Sequence, residues 1–494
     1  MTHTGIPVRA EPGSAAKSTR SVFAVTAAGV FMASLDLSIV NIAFPSIESS
    51  FPSEQTSTLT WVITAYAIVF GALLVLAGRI ADSVGRKRVF LAGLTVFSVG
   101  SAICGIAPDV ALLVAGRVIE GAGAAALLPA SLGLLLGAYP PERRSQIVAL
   151  WSGVGALAVA AGPTLGGSLV SLDSWRLVFY ANLPIAAVAL IAGRRTLQES
   201  TTATEKLKTD FLGAALVTAA LTLVVLGISQ GSTWGWSSAS ILLSFAGAGL
   251  LGVLFVLRCR RVEGPVLDLA LFGDRAFSAA NTATLLYAMG FFAMLLGNIL
   301  FLTSVWHYSI VTAGLAVTPT PLVVAAISGP AGRLASRVGF RAVIAAGAAF
   351  FAGGLTLLAT LVGSQPTYLT RWLPISLTLG IGIGLTFPVM GAAAVSGLPI
   401  ERFAVGSAVN QTARQVGGAF GIAILAVILR SNPRAGASLA EFRHLWLYCA
   451  SMAAASGIAG QLIGPRKVAI RPTEAPYPTG EMPTIAASDP TAGR

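Results

Sequence analysis

Apolar positions along this chain gather into fourteen runs, each near the roughly 20 residues that a helix needs to cross about 30 Å of hydrocarbon. They lie near 21–44, 58–78, 89–107, 110–137, 146–170, 177–193, 211–229, 239–257, 276–304, 313–332, 342–362, 373–396, 404–429 and 445–464. The tightest break is Gly78–Arg88, G-R-I-A-D-S-V-G-R-K-R. There Gly78 and Gly85 permit close backbone approach and positive φ, and Asp82 stands among Arg79, Arg86, Lys87 and Arg88 as one half of an ionic latch. A weaker copy, G-R-L-A-S-R-V-G-F-R, occupies Gly332–Arg341, with Gly332 and Gly339 in the places of Gly78 and Gly85 and Ser336 in the place of Asp82. A duplicated membrane half explains the constant offset; chance likeness of two short basic loops is the competing reading.

Composition agrees with the pattern. Of 494 residues 55% are hydrophobic and 11% charged, against about 25% charged in soluble domains, and the mean hydropathy is +0.80. These values define an all-α polytopic membrane protein. Three cysteines and three histidines are too few and too scattered for a disulfide framework or a metal centre, and no cofactor is expected. The net charge of +12 and pI near 10.2 do not point to nucleic acid, because the bases fall in loops on one side of the membrane. The segment Gly13–Ser18 resembles a phosphate loop only superficially: Ala16 stands where a glycine is needed, and no strand precedes it.

With the N-terminus inside, inner segments hold Arg79, Arg86, Lys87, Arg88, Arg143, Arg144, Arg194, Arg195, Lys206, Lys208, Arg258, Arg260, Arg261, Arg275, Arg333, Arg337, Arg341, Arg402, Arg466 and Lys467, whereas outer segments hold Arg176, Arg371, Arg430, Arg434 and Arg443. Removing one span scrambles this bias, so fourteen helices with both termini cytoplasmic is the self-consistent topology. The first run, of full span length, with Asp36 inside it and no small-residue cleavage site, reads as a retained helix rather than a signal peptide. Trp234 and Trp236 are placed like interfacial anchors. The expected organisation is a cytoplasmic tail (1–20), a six-helix bundle (21–193), a linker with two extra helices (194–275), a second six-helix bundle (276–465) and a disordered cytoplasmic tail (466–494).

Span formation alone does not account for several residues. Asp36 in L-D-L-S-I-V-N and Glu120 in R-V-I-E-G-A-G are the carboxylates deep in the runs, and each costs about 2.5–3.5 kcal/mol at a helix centre on insertion scales. Burial raises a carboxylate's pKa and a neighbouring cation lowers it, so a group between those influences can load and release protons. Arg117 shares a helix face with Glu120 at i, i+3 and can set the ionisation of Glu120, or of Asp36 across a helix interface. A static ion pair that merely ties helices together is the plainer alternative. If protons move here, both acids should stand beside a water-accessible vestibule. Arg414, in N-Q-T-A-R-Q, is the other buried cation and is expected to line a cavity in the second half. Asn41 and Tyr66 are further cavity candidates, while Tyr287, Phe291, Trp306 and Phe387 could stack on a ligand or simply pack. In the fifth run, Gly153, Gly162, Pro163, Gly166 and Gly167, with intervening alanines, form a smooth face ending in G-P-T-L-G-G. Such a face suits either sliding of a kinked helix or a packing seam.

Taken together, these motifs resemble the major facilitator superfamily, specifically its fourteen-helix drug:proton antiporter branch. The loop Gly78–Arg88 resembles the signature between helices two and three. Leu35–Asn41 with Ala43 and Pro45 resembles the first-helix motif, and Arg117, Gly121 and Gly123 the fourth-helix motif. Gly162-Pro163 with Gly166-Gly167 resembles the antiporter motif, and Trp175-Arg176 with Asn182-Leu183-Pro184 the start of helix six. Two departures stand out: Glu120 replaces the usual glutamine, and Ala158 a common glycine. The resemblance implies two six-helix bundles around a central cavity, an extra helix pair, alternating access, and export of apolar or amphipathic small molecules in exchange for protons by a monomer in a bacterial plasma membrane. It implies proton coupling at Asp36 and Arg117, with Glu120 as a further proton site, and a cytoplasmic gate at Gly78, Asp82, Gly85 and Arg86. A symporter importing a nutrient on the same fold is the alternative, which Gly162-Pro163 disfavours. An enzyme or sensor is not supported by any nucleophile elbow, histidine cluster or sizeable soluble domain.

Overall fold

Each apolar run becomes helix because helices satisfy every backbone N–H and C=O within the segment, which lipid cannot do. The computed structural model describes residues 12–172, 174–199, 210–398, 403–429 and 437–464. The expected tail 466–494, most of the tail 1–20, Lys206, Lys208, Arg402, Arg430 and Arg434 lie outside the described residues. The helices, in chain order, are α1 (Pro12–Ser50), α2 (Thr56–Leu59), α3 (Trp61–Val84), α4 (Arg86–Ile106), α5 (Val110–Ala138), α6 (Pro141–Leu172), α7 (Arg176–Tyr180), α8 (Asn182–Thr196), α9 (Phe211–Trp234), α10 (Ala239–Arg261), α11 (Arg275–Ser304), α12 (Ile310–Val317), α13 (Pro319–Val338), α14 (Phe340–Leu361), α15 (Leu373–Val395), α16 (Phe403–Ile428) and α17 (Leu439–Gly460). The pairs α2–α3, α7–α8 and α12–α13 each make one span, and a π turn, Tyr368–Trp372, leads into α15. Among the described residues fourteen helical units result, of which twelve are long and apolar enough to cross a membrane. The fold is all-α and polytopic.

Helix starts follow local chemistry. Asp109, Asp210, Ser238 and Asp274 accept hydrogen bonds from the first-turn amides of α5, α9, α10 and α11, and Ser438 with Glu441 forms a capping box on α17. The fifth run, expected near 146–170, becomes α6, which continues past G-P-T-L-G-G through Pro163 to Leu172. Proline removes the N–H that the carbonyl four residues earlier would accept. That carbonyl, on Val159, instead accepts a 3.0 Å hydrogen bond from Ser38 Oγ of α1, so the helix runs on with its backbone satisfied.

The duplication suggested by the two basic loops extends to packing. In the first half α1 packs on α6 and α8, α3 on α5, and α4 on α5 and α8. The corresponding helices of the second half repeat every pairing: α11 on α16 and α17, α13 on α15, and α14 on α15 and α17. The halves meet through two reciprocal seams, α3 against α16 and α6 against α12 and α13. The additional pair is docked to one side, α9 lying on α3 and α16 and α10 on α9. Below α10, Val266, Leu267 and Leu269 pack against Leu73, Leu76 and Ile80 of α3. Leu271 joins Val75 of α3, Phe277 of α11 and Val409 of α16. The linker thus bridges both halves at the Gly85 end.

Candidate proton-coupling site

Helices α4 and α5 approach so closely that only glycine fits between them. An ideal Cβ on Gly100 would lie 2.6 Å from the Glu120 amide nitrogen, and one on Gly123 2.5 Å from that of Phe97. This contact buries Arg117 and Glu120 at the centre of the first half, facing Asp36 of α1. Arg117 Nη1 donates to Asp36 Oδ2 at 2.6 Å and to Glu120 Oε2 at 2.7 Å, and its Nε donates to the Val62 carbonyl at 2.8 Å. Tyr66 lies against the guanidinium, 4.3 Å from Cζ to ring centroid, and Phe179 lies on it at 5.9 Å.

The three charges do not cancel. Two carboxylates face one guanidinium, so the cluster is neutral only when it also holds one proton, and an uncompensated charge in such surroundings costs several kcal/mol. The two acids are held differently. Glu120 Oε1 accepts from Ser101 Oγ, which in turn accepts from Asn182 Nδ2 at 2.9 Å, and Cys104 Sγ lies 3.7 Å from Oε2. Asp36 Oδ1 meets no donor among the described residues. Sequence reasoning missed Ser101 and the role of Asn182: a single serine in an apolar helix carries no periodic signal, and Asn182 stood out only within its Asn-Leu-Pro motif.

Among the described residues, neither acid opens onto the expected water-accessible vestibule in this conformation. Asp36 and Glu120 are both 0% exposed, because Arg117 draws the carboxylates inward and the Tyr66 ring covers the guanidinium. Asn41 is not brought into the cluster; it donates to the Leu37 carbonyl within α1. Trp306 belongs to a separate aromatic group with Phe301 and Trp372. Arg414 stands in the other half, its Cζ 4.3 Å from the Phe387 ring centroid.

The loop latch forms as expected. Gly85 takes φ +121°, and Gly339 repeats the turn at +89°. Arg86 pairs with Asp82 at 2.9 Å and also donates to the Gly133 carbonyl of α5 at 3.0 Å, while Gly78 packs on Pro129. Glu199, also missed, accepts from the backbone amides of Lys87 and Arg88 at 3.0 and 3.3 Å, an anion at a helix N-terminus. On α6, Gly162 faces Ser38, Gly166 faces Ile39 of α1, and Gly167 faces Val311 of the second half; Gly153 lies further up the same helix. A Cβ on Gly162 overlaps Ser38 Oγ. Gly162→Ala is therefore expected to detach Ser38 from the Val159 carbonyl and destabilise the protein by about 1–3 kcal/mol, the cost of an unsatisfied buried acceptor. Thermal unfolding of the purified variant measures this.

Comparison with known proteins gives the chain's relatives. The chain is 31% identical over 405 residues to the multidrug resistance protein Stp of Mycobacterium tuberculosis, covering 82% of this chain and 74% of that protein. It is 34% identical over 395 residues to a puromycin resistance protein of Streptomyces alboniger, covering 79% and 78%. It is also 34% identical over 421 residues to a cephamycin export protein of Amycolatopsis lactamdurans, covering 84% and 85%. Among solved structures, that of an auto-inhibited peptide transporter of the POT family superposes with a TM-score of 0.65 at 14% identity, over 90% of this chain and 96% of that one, a likeness of fold. The profile of the Major Facilitator Superfamily matches residues 26–422. With its duplicated helix pairing, the chain belongs to the Major Facilitator Superfamily, a family of membrane transporters.

Proposed function

We propose that this transporter is a proton-driven antiporter of the fourteen-helix drug-exporting branch, moving apolar or amphipathic small molecules out of a bacterial cell across the plasma membrane. One observation carries the reading: a single guanidinium is shared by two fully buried carboxylates at 2.6 and 2.7 Å, an arrangement that needs one proton for neutrality. Resistance and export in the names of the relatives support the outward direction, as does the Gly-Pro helix at the seam between halves. The two six-helix blocks, 21–193 and 276–465, rock about that seam, with the 194–275 hairpin beside them and both termini in the cytoplasm.

In the conformation described, the cluster is sealed, so protons exchange only when rocking opens one side. Entry of a proton neutralises the second carboxylate and loosens its hold on Arg117; departure of the proton on the other side restores the double ion pair. Each proton crossing a charged membrane brings about 2.3 kcal/mol per 100 mV in addition to the pH term. Asp82 and Arg86, with Gly78 and Gly85, close the cytoplasmic side when the loop packs on α5.

The direct test uses inverted membrane vesicles acidified inside by respiration and carrying a pH-sensitive dye. Adding probes from ethidium to fluorescein should dissipate the gradient in a manner that depends on this chain. Failure of every probe to release protons, or further acidification on addition, overturns the antiport reading.

A further inference from the structure

The first half pairs its central cation with acids; the second half does not. Arg414 lies 11 residues from the start of α16 and 14 from its end, about 16 Å and about 21 Å along the axis at 1.5 Å per residue. A side chain at that depth cannot snorkel to either interface, so its charge must be met within the protein interior. It is only partly buried, yet among the described residues no carboxylate pairs with it and no acceptor receives its N–H groups. Its one close partner is the Phe387 face.

The surroundings have a definite chemical character. Phe387 of α15 is edge-on to Tyr287 at 5.0 Å and to Phe291 at 5.1 Å, both on α11. Phe291 and Phe387 are themselves partly exposed, whereas Tyr287 is buried beneath them. Mid-span, then, a partly exposed guanidinium stands beside two partly exposed aromatic rings. Stacking on Phe387 covers one face of the guanidinium and leaves its in-plane N–H donors open, the geometry in which arginine grips a carboxylate or sulfonate with two parallel bonds.

We infer that Arg414 with Phe387 and Phe291 forms a cargo subsite for aromatic compounds bearing an acidic group, the anion held by Arg414 and the ring against the two phenylalanines. This rests on the proposed exporter reading and extends it to the charge of the cargo. Export of such an anion is helped by the inside-negative potential, and the cation that lacks a partner in the empty protein gains one from each cargo molecule.

Equilibrium binding to the purified chain in lipid nanodiscs, followed by fluorescence polarisation, tests this without requiring transport or protons. The probes are fluorescein, an aromatic anion, and ethidium, an aromatic cation. Fluorescein should bind saturably to the wild type. Arg414→Gln should weaken that binding at least about tenfold, Arg414→Lys by a smaller amount because it keeps the charge but not the planar fork, and neither should weaken ethidium. Gel filtration confirms that each variant is monodisperse, and the lysine variant keeps the test valid if the glutamine variant does not fold. Absence of saturable fluorescein binding to the wild type, equal weakening of both dyes, or loss of fluorescein binding in Arg414→Lys as complete as in Arg414→Gln overturns the inference. Loss of proton coupling with fluorescein binding intact would count against the exporter reading alone.

Discussion

Asp36→Asn is expected to abolish cargo-dependent proton release, by at least about 100-fold, while leaving a folded protein that still binds its cargo. The asparagine keeps the shape of the carboxylate and can still accept from Arg117, so the α1–α5 contact survives. What it removes is the second negative charge: Arg117 and Glu120 then balance each other with no proton. Asp36 is singled out over Glu120 because of how each is held. Glu120 is fastened by Arg117 and by Ser101, itself braced by Asn182. Asp36 has Arg117 on one oxygen and no donor on the other, so its second oxygen is the place where a proton can sit without displacing a partner. Glu120→Gln also leaves one carboxylate facing Arg117, but it keeps the acid whose second oxygen is free to take a proton, so it should reduce coupling less, by about tenfold. The measurement is the pH change in dye-loaded vesicles on addition of cargo. Full retention of proton release in both Asp36→Asn and Glu120→Gln sinks the assignment, and a larger loss in Glu120→Gln than in Asp36→Asn reverses the roles.

Much of this arrangement is legible in the sequence because membranes leave few choices. Runs of span length must be helices, and a carboxylate inside one is costly enough to announce itself. The i, i+3 spacing of Arg117 and Glu120 put them on one face before any fold was known. The glycine of the charged loop had to take positive φ, and Gly85 and Gly339 both do. What pattern alone does not supply is contact between helices distant in the chain. That Asp36 reaches Arg117 across 81 positions, that Ser38 satisfies the carbonyl freed by Pro163 across 121, and that Glu199 returns to the start of α4 are facts of tertiary packing. Polar residues such as Ser101 become informative only when their neighbours are known. Solvent access is hidden for the same reason: depth in the membrane follows from position in a run, but whether water reaches that depth depends on how two bundles are tilted.

Arg117→Met is expected to lower stability by about 3–5 kcal/mol, the largest structural effect of any single change at this site. Removing one partner of a buried ion pair leaves the other charge without compensation, and here two carboxylates lose their common partner at once. Protonating both is the available escape, so the variant should be less destabilised in acid than at neutral pH. The Val62 carbonyl also loses the donor that ties α3 to α5. The decisive comparison is with the triple variant Asp36→Asn/Glu120→Gln/Arg117→Met, in which no charge is left to compensate. It should recover most of the lost thermal stability and none of the proton coupling. If the single variant is as stable as wild type, or if the triple variant is no more stable than the single, the three residues do not form one electrostatic unit. Recovery of folding without recovery of transport would separate what this cluster does for the structure from what it does for the proton.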